Sequence, residues 1–210
     1  MEITTEKPFI TVKEVTNKCY DVFLDEEIDE PSKYRDLISI LFNAEEEDDI
    51  NLFFNNVGGS VDTANIIEGL KATRAETSAV LLGQCHSASS IIMMYCKNIY
   101  VTDSAYMLIH TATSGSFGTV GNIQRATEFL NNKISNLMKD AYKGFLSDEE
   151  FEKLHLGLEF WFDADEIRKR MENRAKVLSE ENGEEDVEDG GAPEEQVSCS
   201  VSGCKCGAGN

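Results

Sequence analysis

Basic residues are scarce in this chain of 210 residues: 19 Lys and Arg stand against 39 Asp and Glu, and the net charge is −20. A nucleic-acid binder needs a basic face that neutralises phosphates, and adsorption to anionic membranes also needs basic residues, so the composition argues against both classes. The charge is uneven, because residues 179–210 hold nine acidic residues and one lysine. We predict a folded domain over residues 1–178 and an acidic tail over residues 179–210, whose composition cannot offset the entropy of folding.

Signals for membranes and secretion are also missing. No apolar run approaches the roughly 20 residues of a membrane span. The first residues, MEITTEKP, lack the basic start and the apolar stretch of a secretory signal. We therefore expect a cytoplasmic protein without a membrane partner.

The six cysteines do not follow the pattern of a secreted disulfide framework. Cys85 and Cys96 lie in apolar or small-residue stretches, which favours reduced thiols. Three further cysteines lie in the tail without a histidine nearby: Cys199, Cys204 and Cys206. Because a structural zinc site takes four ligands, we favour a flexible thiol-bearing tail over a metal site.

Strand and helix patterns alternate along the first half of the chain. Residues 50–54 and 77–83 are apolar runs of the buried-strand type, and helical patterns follow over residues 62–73 and 87–97. Further short strands are predicted over residues 20–24, 99–102 and 106–110. This alternation predicts an α/β fold with a largely parallel sheet covered by helices.

Helical patterns dominate the second half of the chain. A glycine-rich segment over residues 115–121 precedes a long amphipathic helix predicted over residues 122–142. Ser147 and Glu150 have the spacing of a capping box, which predicts the start of another helix. A last helix, capped by an aspartate, is predicted to reach about Leu178.

Two turns after the buried strands carry a candidate site. Gly58 and Gly59 follow the first strand, and paired glycines there can turn backbone amides toward an oxyanion. Ser87 lies between the second strand and its helix, in the sequence GQCHSAS. This arrangement is similar to a nucleophile elbow, although Cys85 and Ser89 occupy the positions that glycines usually take.

A histidine completes the candidate site. His110 closes a short apolar strand 23 residues after Ser87, and histidine is the usual base for a serine nucleophile because its pKa lies near neutrality. Of the other two histidines, His86 is expected to point away when Ser87 faces the site, and His155 lies on a later helix. Taken singly, the three segments also fit a tight turn, a capping serine and a structural histidine.

Taken in order, the segments resemble the proteolytic subunit of Clp protease, the ClpP family of serine peptidases. The resemblance rests on NNVGGSVDTANIIEGL, LLGQCHSASSIIMMYC and YMLIHTATSGSFGTVGNI, followed by a long helix, and it covers roughly residues 20–167. It implies the α/β ClpP/crotonase fold, with repeated β-β-α units and a long protruding handle helix.

The resemblance also implies a role for each residue of the site. Ser87 corresponds to the nucleophile, His110 to the general base, and the amides of Gly59 and Ala88 to the oxyanion hole. Glu159 falls at the position of the family's triad aspartate, and it can accept a hydrogen bond from a histidine as an aspartate does.

Two aspartates are fallbacks for the third member of the triad, namely Asp163 and Asp165. Head-maturation proteases of tailed phages, a branch related to ClpP, tend to carry a glutamate and a tryptophan where this chain has Glu159 and Trp161. This likeness points to a phage or prophage origin, and hence to a host cytoplasm.

The implied activity is that of a serine endopeptidase that cleaves peptides or unfolded proteins without a metal or organic cofactor. The family implies homo-oligomers, rings of seven subunits stacked face to face, with an ATP-dependent unfoldase as a candidate partner. Two alternatives remain open: a catalytically silent ClpP-like structural subunit, and a crotonase-type acyl-CoA enzyme. General protein turnover and capsid maturation are both compatible with the sequence.

Overall fold

A mixed β-sheet organises the protein. The computed structural model describes residues 10–14, 17–60, 64–113, 115 and 117–181. Their strands are β1 (Ile10–Glu14), β2 (Lys18–Leu24), β3 (Asp49–Asn56), β4 (Glu76–His86), β5 (Asn98–Val101), β6 (Tyr106–Ile109) and β7 (Phe160–Asp163). The strands pair in the order β1-β2-β3-β4-β6-β7, and β5 pairs with β4.

Helices connect these strands. In the described ranges they are α1 (Arg35–Asn43), α2 (Ala64–Ala72), α3 (Ala88–Met93), α4 (Val120–Ala141), α5 (Asp148–His155) and α6 (Ala164–Glu181), and a 3-10 helix (Pro31–Tyr34) precedes α1. None of them combines the length and the apolar character that crossing a membrane requires. Parallel neighbouring strands must be joined by crossover connections, which are usually helices. The helices between the parallel strands here confirm the predicted α/β class.

Strand β4 decides where the site lies. β2, β3 and β4 run parallel, whereas β1 and β7 add antiparallel edges. β4 has 11 residues and serves two parallel neighbours: Ser78–Leu81 pair with β5, and Gln84–His86 pair with β6. The carboxyl ends of β4 and β6 therefore lie side by side.

Close helix packing completes the core beside the sheet. β3 buries alternate side chains, Ile50, Leu52 and Phe54, as a strand covered on one face does. α1 and α2 pack closely, because a Cβ on Gly69 would lie 2.8 Å from the side chain of Leu41. A larger residue at Gly69 would push the two helices apart.

A salt bridge joins α5 to α6. Ser147 and Glu150 form the predicted capping box at the start of α5. The Glu150 carboxylate also accepts two hydrogen bonds from the Arg170 guanidinium, at 2.9 and 2.7 Å, at a site where both side chains are only 21% exposed. The Arg170 bonds are the main cause that lowers the pKa of Glu150 to about 2. This charge-assisted pair holds α5 in a defined position.

Some elements differ from the sequence predictions. Neither β1 nor β7 is predicted, because their extended conformation comes from pairing with β2 and β6. α3 ends at Met93, short of the predicted residue 97, because the next residues close into a tighter turn with bonds such as Cys96 N to the Met93 carbonyl, 3.0 Å. Most of the predicted acidic tail, residues 182–210, lies outside the described residues.

Candidate active site

Ser87 occupies a strained turn between β4 and α3. Its φ is 53° and its ψ is −123°, and it is the only non-glycine residue of the described ranges with positive φ. The Ser87 amide donates to the Leu108 carbonyl of β6 at 2.8 Å. Such a conformation costs about 1–3 kcal/mol and clusters at functional sites. Here it presents the half-buried Ser87 side chain to a cavity of about 820 Å³.

A glycine loop packs against this turn. Gly58 and Gly59 have φ of +85° and +150°. A Cβ on Gly58 would lie 2.7 Å from the Ser87 Cβ, and one on Gly59 would lie 2.6 Å from the Ile28 carbonyl carbon, so only glycine fits at both positions. The amides of Gly59 and Ala88 donate no hydrogen bond to another described residue, which leaves them available to an oxyanion.

Asn56 connects the glycine loop to its surroundings, a role that no sequence pattern indicates. Its side chain is buried and makes three hydrogen bonds. Nδ2 donates to the Leu24 carbonyl at 2.6 Å, Oδ1 accepts from the Gly58 amide at 2.8 Å, and Oδ1 also accepts from the Ser89 hydroxyl. One side chain thus joins the end of β2, the glycine loop and the helix after Ser87.

His110 lines the same cavity as Ser87, directly after β6. Its Nδ1 lies 2.7 Å from the Thr111 carbonyl oxygen. A carbonyl only accepts, so Nδ1 carries the proton and Nε2 of the neutral ring is left as an acceptor. This is the tautomer that a general base for a serine hydroxyl requires.

Glu159 comes directly before β7, and His110 comes directly after β6. The last antiparallel pair of β6 and β7 is Ile109 with Phe160, so continuing this register by one position would set His110 opposite Glu159. The Glu159 side chain is exposed, and no hydrogen bond joins it to His110 in the part of the chain that the structure describes. The Nδ1 acceptor here is Thr111, and the triad role of Glu159 stays a prediction.

The two fallback aspartates have other partners. Asp163 pairs with Tyr106 at the far end of β7, and its Oδ1 accepts from the Glu166 amide at 2.9 Å, as a helix cap. Asp165 forms an ion pair with Arg168 at 2.9 Å. Of the three acids, Glu159 alone therefore has the register position next to His110.

The cavity has a largely apolar wall built by α4 and α5. Its apolar members are Leu130, Ile134, Met138, Phe151 and Leu154. The amphipathic pattern of residues 122–142 predicts an apolar face on α4, but no local pattern indicates that α5 contributes to the same cavity. His155 also lines this cavity, and Glu27 lines it near Gly59.

His86 and Cys85 face away from the cavity. The His86 ring is buried, makes edge contacts with Tyr106 and Trp161, and does not line the cavity. Burial, followed by the neighbouring His110, lowers the pKa of His86. Burial also raises the pKa of the Cys85 thiol well above its usual range, so this cysteine is a packing residue rather than a nucleophile.

Among the described residues, no group of His, Cys, Asp and Glu side chains is arranged to hold a metal ion.

Comparison with known proteins gives one family. The family model for Clp protease matches residues 5–170 of the chain. A search of curated proteins found no match.

Proposed function

The chain belongs to the Clp protease family, a family of peptidases, and we propose that it is a serine endopeptidase that cleaves peptides or unfolded proteins inside an oligomeric ring. The observation that carries this proposal is the joint presence of the strained Ser87 turn and of His110 in one cavity. A structural serine has no need of a positive φ.

The proposed mechanism is acyl transfer. Nε2 of His110 takes the proton of the Ser87 hydroxyl as Oγ attacks the peptide carbonyl, and the amides of Gly59 and Ala88 hold the tetrahedral oxyanion. His110 then protonates the leaving amine, the peptide bond breaks, and water hydrolyses the acyl-enzyme by the same base. No metal or organic cofactor takes part in this scheme.

Glu159 is proposed as the third member of the triad. Its position one residue beyond the Ile109–Phe160 pair supports this role, which requires the His110 Nδ1 to donate to the Glu159 carboxylate instead of the Thr111 carbonyl. The carboxylate would then stabilise the imidazolium that forms when His110 accepts the proton.

The ring is proposed from the exposed half of α4. Met138 at its C-terminal end is buried, whereas Phe129 and Leu130 toward its N-terminal half are 67% and 44% exposed. An amphipathic helix that leaves its apolar residues uncovered is typical of an interface between subunits. We propose that α4 is the handle helix of stacked heptameric rings in the cytoplasm, with an ATP-dependent unfoldase as a partner.

One observation favours a second candidate, a catalytically silent ClpP-like subunit. In this structure the His110 Nδ1 bonds a backbone carbonyl, not a carboxylate. A silent subunit would assemble but would leave Ser87 unreactive.

A serine-reactive fluorophosphonate probe separates the two candidates. We expect the probe to label the wild type and to inhibit peptide hydrolysis, and Ser87→Ala to lose both labelling and hydrolysis while its oligomer, measured by light scattering, stays intact. Ser135→Ala is the matched control, because Ser135 lines the same cavity without a catalytic role. Equal labelling of the wild type and Ser87→Ala would contradict the proposal, and an unlabelled wild type that assembles would support the silent subunit.

A further inference from the structure

Charged side chains are scarce in the described lining of the proposed catalytic cavity. Among the described residues that line it, Glu27 is the only Asp or Glu, and no Lys or Arg is present. The part of the lining that α4 and α5 contribute includes five apolar side chains. A ligand in the cavity can therefore contact both an anionic group and apolar side chains.

The backbone next to Glu27 is held rigidly. Ile28, which follows it, is completely buried, its amide donates to the Gly58 carbonyl at 2.8 Å, and its carbonyl accepts from the Ser60 amide at 2.6 Å. Ile28 thus pairs with Gly59 across a short parallel bridge. The backbone that carries Glu27 is consequently held beside the loop that holds the proposed oxyanion amide.

Within the described residues, the Glu27 carboxylate has no cationic partner. The nearest acids of the same segment share Lys33: Asp29 forms an ion pair with it at 2.8 Å, and the charge of Glu26 acts on it as well. Glu27 itself is exposed and makes no hydrogen bond or ion pair with another described residue. Its negative charge is therefore available to a ligand in the cavity.

We propose that Glu27 selects substrates by binding a lysine or arginine side chain of the peptide close to the bond that Ser87 cleaves. This inference rests on the proposed peptidase function and names its substrate class: peptides that combine a basic residue with a nearby apolar residue. The ammonium or guanidinium group would pair with the carboxylate while the apolar side chain packs against α4 and α5. The net charge of −20 attracts cationic peptides from a distance, whereas Glu27, the one acid among the described lining residues, would fix where the basic residue sits.

Matched fluorogenic peptides test the proposal. In one set, each peptide carries a single lysine, placed in turn at each of three positions on either side of an apolar residue. In the second set, glutamine replaces the lysine of each peptide. For the best lysine position, we expect Glu27→Gln to lower kcat/KM by about two- to fivefold, mainly through KM, which is the range of a solvent-exposed ion pair. Glu27→Gln should cleave the glutamine peptide with the same kcat/KM as the wild type does. In the wild type, 0.5 M NaCl should reduce the preference for lysine over glutamine.

Glu26→Gln is the matched control, because it removes the same charge one residue away and outside the cavity lining. The proposal is overturned if Glu27→Gln leaves the lysine preference unchanged, or if Glu26→Gln lowers it equally. Hydrolysis of the glutamine peptides reports separately on the proposed function. If no peptide is cleaved, anisotropy of the same labelled peptides bound to Ser87→Ala, with and without Glu27→Gln, decides whether Glu27 recognises the lysine.

Discussion

Asn56→Ala is the substitution that most directly tests how the glycine loop is held. The change removes the donor to the Leu24 carbonyl and the acceptor of both the Gly58 amide and the Ser89 hydroxyl. Asn56 is 4% exposed and Ser89 is 0% exposed, so water reaches these groups poorly after the side chain is lost. The Gly59 amide, one residue along the loop, loses its support at the same time.

The magnitude follows from the three broken hydrogen bonds. A buried polar group left without a partner costs about 1–3 kcal/mol, so for three such groups we expect the free energy of unfolding to fall by about 3–9 kcal/mol. If the loosened loop misplaces the Gly59 amide, kcat should fall by about tenfold to a hundredfold, somewhat less than the loss of a complete oxyanion donor. KM should change little, because Asn56 does not line the cavity.

Urea unfolding and steady-state peptide hydrolysis, at a temperature where each variant is folded, measure both effects. Asn55→Ala is the control, because this exposed neighbour makes one 3.1 Å bond to the Gln84 amide and should cost less than about 1 kcal/mol. Asn56→Asp keeps the acceptor for Gly58 and should recover part of kcat. The reasoning is refuted if Asn56→Ala is as stable and as active as Asn55→Ala.

Two more predictions concern acids near the site. The pKa of Glu150 is lowered in the folded protein from 4.5 to about 2, so its stabilising contribution is present above pH 4.5 and is lost as the pH falls toward 2. That pKa difference is worth up to about 3 kcal/mol of stability. Between pH 6 and pH 3, the free energy of unfolding measured in urea should therefore fall less for Glu150→Gln than for the wild type. An equal fall in both proteins would contradict the Arg170 pairing. Glu159→Gln should lower kcat by about tenfold or more at neutral pH, whereas Asp163→Asn should affect stability through its cap on α6 and leave kcat nearly unchanged. The reverse result in peptide hydrolysis would assign the third triad position to Asp163.

Local patterns in the sequence are sufficient for much of the fold. The apolar runs of β3 and β4, the long α4 and the capping box of α5 follow from side-chain periodicity and from the hydrogen bonds that Ser and Glu make to nearby amides. The strands β1 and β7 could not be predicted in the same way. β1 has only five residues and is extended by its pairing with β2, and β7 has four residues and pairs with β6, which lies far away in the chain.

The same division applies to the candidate site. Ser87, His110 and the paired glycines were predicted because each stands at a strand end with a residue type suited to one chemical step, and their order resembles a known family. The sequence alone could not reveal that Asn56 secures the glycine loop, or that the Nδ1 partner of His110 here is the Thr111 carbonyl. Both depend on the exact placement of side chains after folding.

The sequence by itself therefore determined the class of the fold and the uneven charge, because these depend on composition and short-range spacing, and it proposed candidate residues for acyl transfer. The tertiary structure alone decided which residues share the cavity. The double pairing of β4 brings Ser87 beside β6, and α4 and α5 contribute apolar side chains to the cavity that Glu27 also lines. These neighbours are far apart in the chain, and only the register of the sheet and the packing of the helices bring them together.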